Sequence, residues 1–97
     1  MKFSRNKEVQ IDDYLFVVLP LNAKRHFELC DEYKDRDENN AFMRATMTEC
    51  ITLDGKPAFA SLDELLDLPA YVFMPLMKAT SYVNTWNTEA VEDLKKS

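Results

Sequence analysis

Apolar residues along this chain follow two rhythms. From Val9 to Leu21 they are dense: Tyr14-Leu15-Phe16-Val17-Val18-Leu19 is an unbroken run of aromatic, β-branched and aliphatic residues halted by Pro20. Such a run predicts one strand or a short hairpin. Beyond Pro20 the spacing turns helical. Asn22 stands where an N-cap belongs, and His26, Leu29, Cys30 and Tyr33 fall at i, i+3, i+4 and i+7 of a helix from Ala23 to about Lys34. Asp35–Asn39 reads as the connecting turn. Asn40 then caps a second helix to about Thr52, with Met43, Thr46, Met47 and Cys50 as its stripe.

Leu53-Asp54-Gly55-Lys56-Pro57 reads as a turn, because Asp-Gly favours tight reversal and Pro57 blocks a continuing helix. Ala58-Phe59-Ala60 is short and extended. Ser61 and Glu64 form a capping box for a brief helix, Leu62 to about Leu66. Leu68-Pro69 opens the longest helix, whose stripe is Leu68, Val72, Leu76, Ala79, Val83 and Trp86. It runs to about Asn84, with Pro75 expected to kink it or to split off its first turn. Asn87–Ser97 reads as a frayed turn or polar tail. The fold class these elements predict is mostly α: a small single domain of about four helices with an N-terminal β-strand or hairpin. Its core covers residues 9–87, and 88–97 form the tail.

Composition agrees with one folded domain. The chain has 97 residues, 46% of them apolar, against a usual single-domain size of about 100–150. Two cysteines twenty residues apart imply no disulfide framework, and reduced thiols are expected. The apolar runs fall short of the roughly 18–20 residues of a membrane-spanning helix, and no small-residue cleavage site follows the basic N-terminus. A cytosolic address is the expectation.

Charge sharpens the picture by its distribution. Twelve basic and seventeen acidic residues leave −5. Residues 1–25 carry five cations and three carboxylates, a sum of +2. Residues 26–67 carry eleven carboxylates and only Lys34, Arg36, Arg44 and Lys56, a sum of −7. The last thirty residues balance at three of each. Such a chain is unsuited to non-specific nucleic-acid binding, which needs clustered cations. The acidic middle is either a solvated face or a docking surface for a basic partner, with Asp31, Glu32 and Asp35 at its centre.

Chemistry-bearing residues are few. His26 and Cys30 share a helix face, but a zinc site wants four ligands and a nucleophilic dyad wants an orienting group and an oxyanion hole. Their place in an apolar stripe points to core packing. Asp35-Arg36-Asp37-Glu38-Asn39-Asn40 supplies the first, third and fifth ligands of an EF-hand loop. The sixth position, however, is Asn40 where Gly is needed, and the twelfth is Thr46 where Glu is needed. It reads as a polar turn. No catalytic residue, cofactor or metal is expected.

Residues suited to binding are easier to find. Met43, Met47, Met74 and Met77 lie on two of the predicted helices; flexible thioethers fill core gaps or form adaptable apolar grooves. Tyr71 and Tyr82, with Phe73, stand off the main stripe of the last helix. A helix apolar on more than one side is central in its fold or makes an oligomer contact. These features favour a protein-binding role over an enzyme.

The order of motifs is also distinctive. Leu19-Pro20-Leu21-Asn22 precedes a helix, and Leu53-Asp54-Gly55-Lys56-Pro57-Ala58-Phe59 leads into Ser61-Leu62-Asp63-Glu64-Leu65-Leu66-Asp67-Leu68-Pro69 and a long helix. Over about residues 9–87 this resembles the tail assembly chaperone family of long-tailed, siphovirus-type bacteriophages and prophages. Pro75 inside the last helix and Thr85-Trp86, where that family often has Gly, depart from the pattern. The resemblance implies a non-catalytic protein of the host cytoplasm. Its partners would be the tape measure protein, kept soluble, the tail tube protein, recruited later, and further copies of itself. It also implies a longer frameshifted form, for which Lys95-Lys96 would supply an A-rich codon run. The rival reading is a small acidic inhibitor that mimics nucleic-acid charge.

Overall fold

The computed structural model describes residues 5–36 and 38–84; the expected tail at 88–97, Lys95-Lys96, Thr85 and Trp86 lie outside that range. Its elements run in the order β1 (Lys7–Ile11), β2 (Tyr14–Val18), α1 (Ala23–Tyr33), a single 3-10 turn (Glu38–Asn40), α2 (Ala41–Cys50), β3 (Ile51–Leu53), β4 (Lys56–Pro57), α3 (Leu62–Leu66) and α4 (Ala70–Asn84).

The expected mostly-α class is wrong. The strands join in one antiparallel four-stranded sheet of order β1-β2-β3-β4, beside four α-helices, and the fold is α+β. The N-terminal run is a hairpin, with Ile11 paired to Tyr14 across the Asp12-Asp13 turn and Lys7 to Val18. The sheet then grows by a return from far along the chain: Val18 pairs with Ile51, Val17 with Thr52 and Phe16 with Leu53. Thr52 Oγ1 donates to the Val17 carbonyl at 2.7 Å and Leu19 N–H to the Cys50 carbonyl at 2.9 Å, locking the register. The second helix therefore ends at Cys50, and Ile51-Thr52 are strand. Both are β-branched and suit a pleated surface.

Asp54 (φ 55°) and Gly55 (φ 79°) turn β3 into β4 through two left-handed positions, the geometry of a type I′ hairpin loop.

Period 2 sorts the sheet into two faces. Val9, Ile11, Phe16, Val18, Ile51 and Leu53 share the inner one. There they meet Met47 and Cys50 of α2, Leu65 of α3, and Leu76, Ala79 and Val83 of α4. The Phe59 ring stacks on Phe16 with centroids 6.2 Å apart. Leu29 of α1 is buried but lies outside this cluster, as do Ala41 and Ala45.

Helix ends depart from expectation in detail. Asn22 caps α1 as expected, its Oδ1 accepting from Arg25 N–H at 2.8 Å. Asn40 does not cap α2 through its side chain; it sits in the left-handed region (φ 54°) and closes the 3-10 turn. The capping box is displaced by one residue, because Glu64 accepts from Ala60 N–H at 2.7 Å and the Ser61 side chain makes no cap bond. Pro69 precedes α4 and offers its carbonyl to Val72 and Phe73 N–H, both at 3.0 Å. Pro75 does not divide the helix, which runs unbroken from Ala70 to Asn84. Its ring costs one bond, the one the Tyr71 carbonyl would have accepted.

Candidate functional site

The residues expected to bind fall into three places. Met47 is fully buried in the core, and Met43 and Met77 are partly buried against it, so these thioethers fill internal gaps. Asp31 and Glu32 are exposed on α1 and Asp35 just beyond it. Glu32 lies 3.6 Å from Arg25, which also makes a two-pronged bond to Glu49 of α2. Those carboxylates hold the guanidinium proton above its ordinary range. Tyr71 (61% exposed), Met74 (43%) and Tyr82 (52%) form the third group, on the outward side of α4. The acidic residues do not join them. α1 approaches α4 at its first turns, where Ala23, His26 and Phe27 face Val83 and Asn84 across a cleft of about 350 Å³, and Asp31–Asp35 lie at the opposite end.

The outward side of α4 borders an open strand edge. Tyr71, Pro75, Lys78 and Tyr82 fall at i, i+4, i+7 and i+11, one stripe along the helix. Beside it runs β1. A groove of about 500 Å³ lies between them, lined by Lys7, Glu8, Val9, Gln10, Pro75, Lys78, Ala79 and Tyr82. Four consecutive residues of β1 line it. Consecutive residues point to opposite faces of a sheet, so the groove follows the edge of the strand.

Its two ends are pinned. At one, Tyr71 Oη donates to Asp12 Oδ2 at 3.0 Å, in the turn after β1, and the nearby carboxylate raises the phenol pKa. At the other, the Arg5 guanidinium and Lys7 ammonium lie 5.6 and 5.8 Å from the Tyr82 ring centroid. Cations over an aromatic face are attracted by its quadrupole. Sequence reasoning found Tyr71 and Tyr82 from their phase on the helix. It missed Lys7–Gln10, Pro75 and Lys78, whose proximity depends on α4 packing beside β1.

The opposite, outer face of the sheet carries Leu15 and Leu19, both exposed, with Val17 between them. The uninterrupted apolar run 14–19 was a signal for this, since a strand polar on one side alternates. Phe27, at 65% the most exposed large apolar side chain among the described residues, stands off the α1 stripe, and Leu66 is exposed on α3.

The cysteine and histidine readings resolve by geometry. His26 Nε2 and Cys30 Sγ are 3.6 Å apart, and the imidazole is edge-on to Phe42 and Phe27. Both are half-buried. Cys50 is buried, receives the Asn84 Nδ2 donor at 3.3 Å, and has its thiol pKa pushed up by burial. In the acidic turn, Arg36 lies 3.5 Å from Glu38 and over the Tyr33 ring. Among the described residues, no three His, Cys, Asp or Glu side chains converge as a metal site.

One buried charge went unanticipated. Arg44, on α2, is 6% exposed and donates to the Leu62 and Glu38 carbonyls, both at 3.4 Å. It ties the 3-10 turn and the start of α3 to α2. Among the described residues, no helix is long and apolar enough to cross a membrane.

Searches against models of known families, curated proteins and solved structures find no match to this chain.

Proposed function

We propose that the chain is a tail assembly chaperone of a long-tailed phage or prophage. It acts in the host cytoplasm without catalysis: it binds the tape measure protein, keeps it soluble and helps recruit tail tube subunits. The observation that carries this reading is the number and spread of exposed apolar side chains: Leu15 and Leu19 on the sheet, Phe27 on α1, Leu66 on α3, and Tyr71, Met74 and Tyr82 on α4. Exposed apolar groups that share one side, as Tyr71, Met74 and Tyr82 do on α4 and Leu15 and Leu19 on the outer sheet face, mark surfaces that other proteins cover. Spread over several sides, they suit many modest contacts, both with a long apolar-striped partner and with neighbouring copies coating it. Modest contacts exchange readily, because affinity differences reside mainly in dissociation rates.

The motif order set out above adds to this reading. The rival, an acidic mimic of nucleic acid, needs an ordered face of free carboxylates, whereas Glu32, Glu49 and Glu38 face Arg25 and Arg36. Co-expression with the tape measure protein encoded beside this chain tests the proposal. Expected are a soluble tape measure protein and a co-purifying complex that Tyr71→Ser with Met74→Ser weakens. An insoluble tape measure protein and no complex would sink it.

A further inference from the structure

We propose that the groove between β1 and α4 takes an extended acidic segment of a partner protein, added antiparallel or parallel to β1 as a fifth strand. Three observations converge on it. β1 is the end strand of the sheet, and among the described residues no other strand flanks its outer side. In such a strand alternate residues direct their backbone N–H and C=O away from the neighbour, a ready template for another chain.

The second observation is the fit of lengths. Lys7 to Gln10 spans about 10 Å at the rise of a strand, and Pro75 to Tyr82 spans about 10 Å at the rise of a helix. The walls of the groove therefore match over about three residues of added strand, with the Tyr71–Asp12 bond at one end and Tyr82 under Arg5 and Lys7 at the other. A helical occupant would leave the edge of β1 unpaired, because its own backbone groups bond internally. An extended one pairs them, which is the strand-addition mode of recognition.

Charge chooses the occupant. The lining carries Lys7 and Lys78 against the single carboxylate Glu8, a basic strip on a chain of net charge −5. Acidic side chains on the incoming strand complement it. A second copy of this chain would offer β1, which carries Lys7 and only one carboxylate, Glu8, and so complements the strip less well than a strand with several carboxylates. Ala79, Pro75 and Tyr82 add apolar surface to the lining, which suits small or β-branched residues between the acidic ones.

This inference does not rest on the chaperone proposal, since it concerns any partner offering such a strand. The test uses the full chain, isotope-labelled for NMR, and three octapeptides. One alternates Thr and Glu, one alternates Thr and Lys, and one is the Thr-Glu peptide N-methylated along its backbone. The Thr-Glu peptide is expected to shift the amides of Lys7–Ile11 and Lys78–Tyr82. Lys7→Glu with Lys78→Glu, both exposed substitutions checked for fold by circular dichroism, should weaken it about tenfold, as for loss of about 1.4 kcal/mol. The N-methylated and Thr-Lys peptides should not bind. Equal binding of the N-methylated peptide, shifts confined to Leu15–Leu19, or no shift at about 1 mM peptide would each overturn the proposal. So would concentration-dependent shifts at β1 without peptide together with a doubled mass, which would assign the edge to a second copy.

Discussion

Tyr71 is where a single side chain reports most directly on the tertiary structure. Its phenol is exposed yet donates to Asp12, fifty-nine residues away in sequence, and that contact raises its pKa above the usual value. The neutral phenol is the form the fold favours. The contact thus contributes below about pH 10, the ordinary tyrosine value, and is lost as pH rises through the folded value. A spectrophotometric titration differenced against Tyr71→Phe should show Tyr71 ionising above the ordinary tyrosine value. Asp12→Asn should bring it back toward pH 10. The thiols offer a second reading at this scale. Buried Cys50, with a raised pKa, should react with a thiol reagent at least about tenfold more slowly than half-buried Cys30. Equal rates in the folded protein would contradict the assigned burial.

At the scale of elements, backbone geometry decides which residues are replaceable. Gly55 sits at φ 79° with open space where a Cβ would go, so Gly55→Ala meets no clash and costs only the left-handed strain, about 1–2 kcal/mol. Asp54 shares that turn at φ 55° and should accept Asn without loss. Thermal melts of both variants check the pair. Pro75 is the converse case. In a helix interior Pro is about 3 kcal/mol worse than Ala, a net difference that already contains the unfolded-chain entropy Pro removes. Pro75→Ala should therefore stabilise the protein by up to about 3 kcal/mol in denaturant unfolding. No gain would mean that its packing against the β1 groove outweighs the missing bond. The Asp-Gly turn was legible because both positive-φ positions carry residues that tolerate them. β3 and β4 were not legible: three and two residues are too few for a period to declare itself, and Ile51-Thr52 continue the phase of the helix before them.

For the molecule as a whole, stability is unevenly distributed. The main core joins the sheet with α2, α3 and α4, whereas α1 has Leu29 as its one buried residue, supplemented by the exposed Arg25–Glu49 bond. Leu29→Ala should cost about 3 kcal/mol. Native-state hydrogen exchange should show α1 amides opening before those of α4 in the wild type, and far more readily in the variant. Exchange at α1 no faster than at α4 would disprove this division. α1 also carries exposed Asp31 and Glu32, so loosening it displaces much of the acidic face without opening the groove at β1.

The sequence alone determined the four helices to within a few residues, the hairpin as one of two options, the Asp-Gly turn and the phase of Tyr71 and Tyr82. Each is written in a local rhythm, a cap or a turn residue, where neighbours a few positions apart decide the outcome. The tertiary structure alone decided that Val17-Val18 pair with Ile51-Thr52, that Arg44 is buried, and that α4 lies along the edge of β1. Those depend on which distant segments meet, and pairing energies between segments some thirty residues or more apart leave no periodic trace in either one. The fold class turned on that pairing, as did the groove.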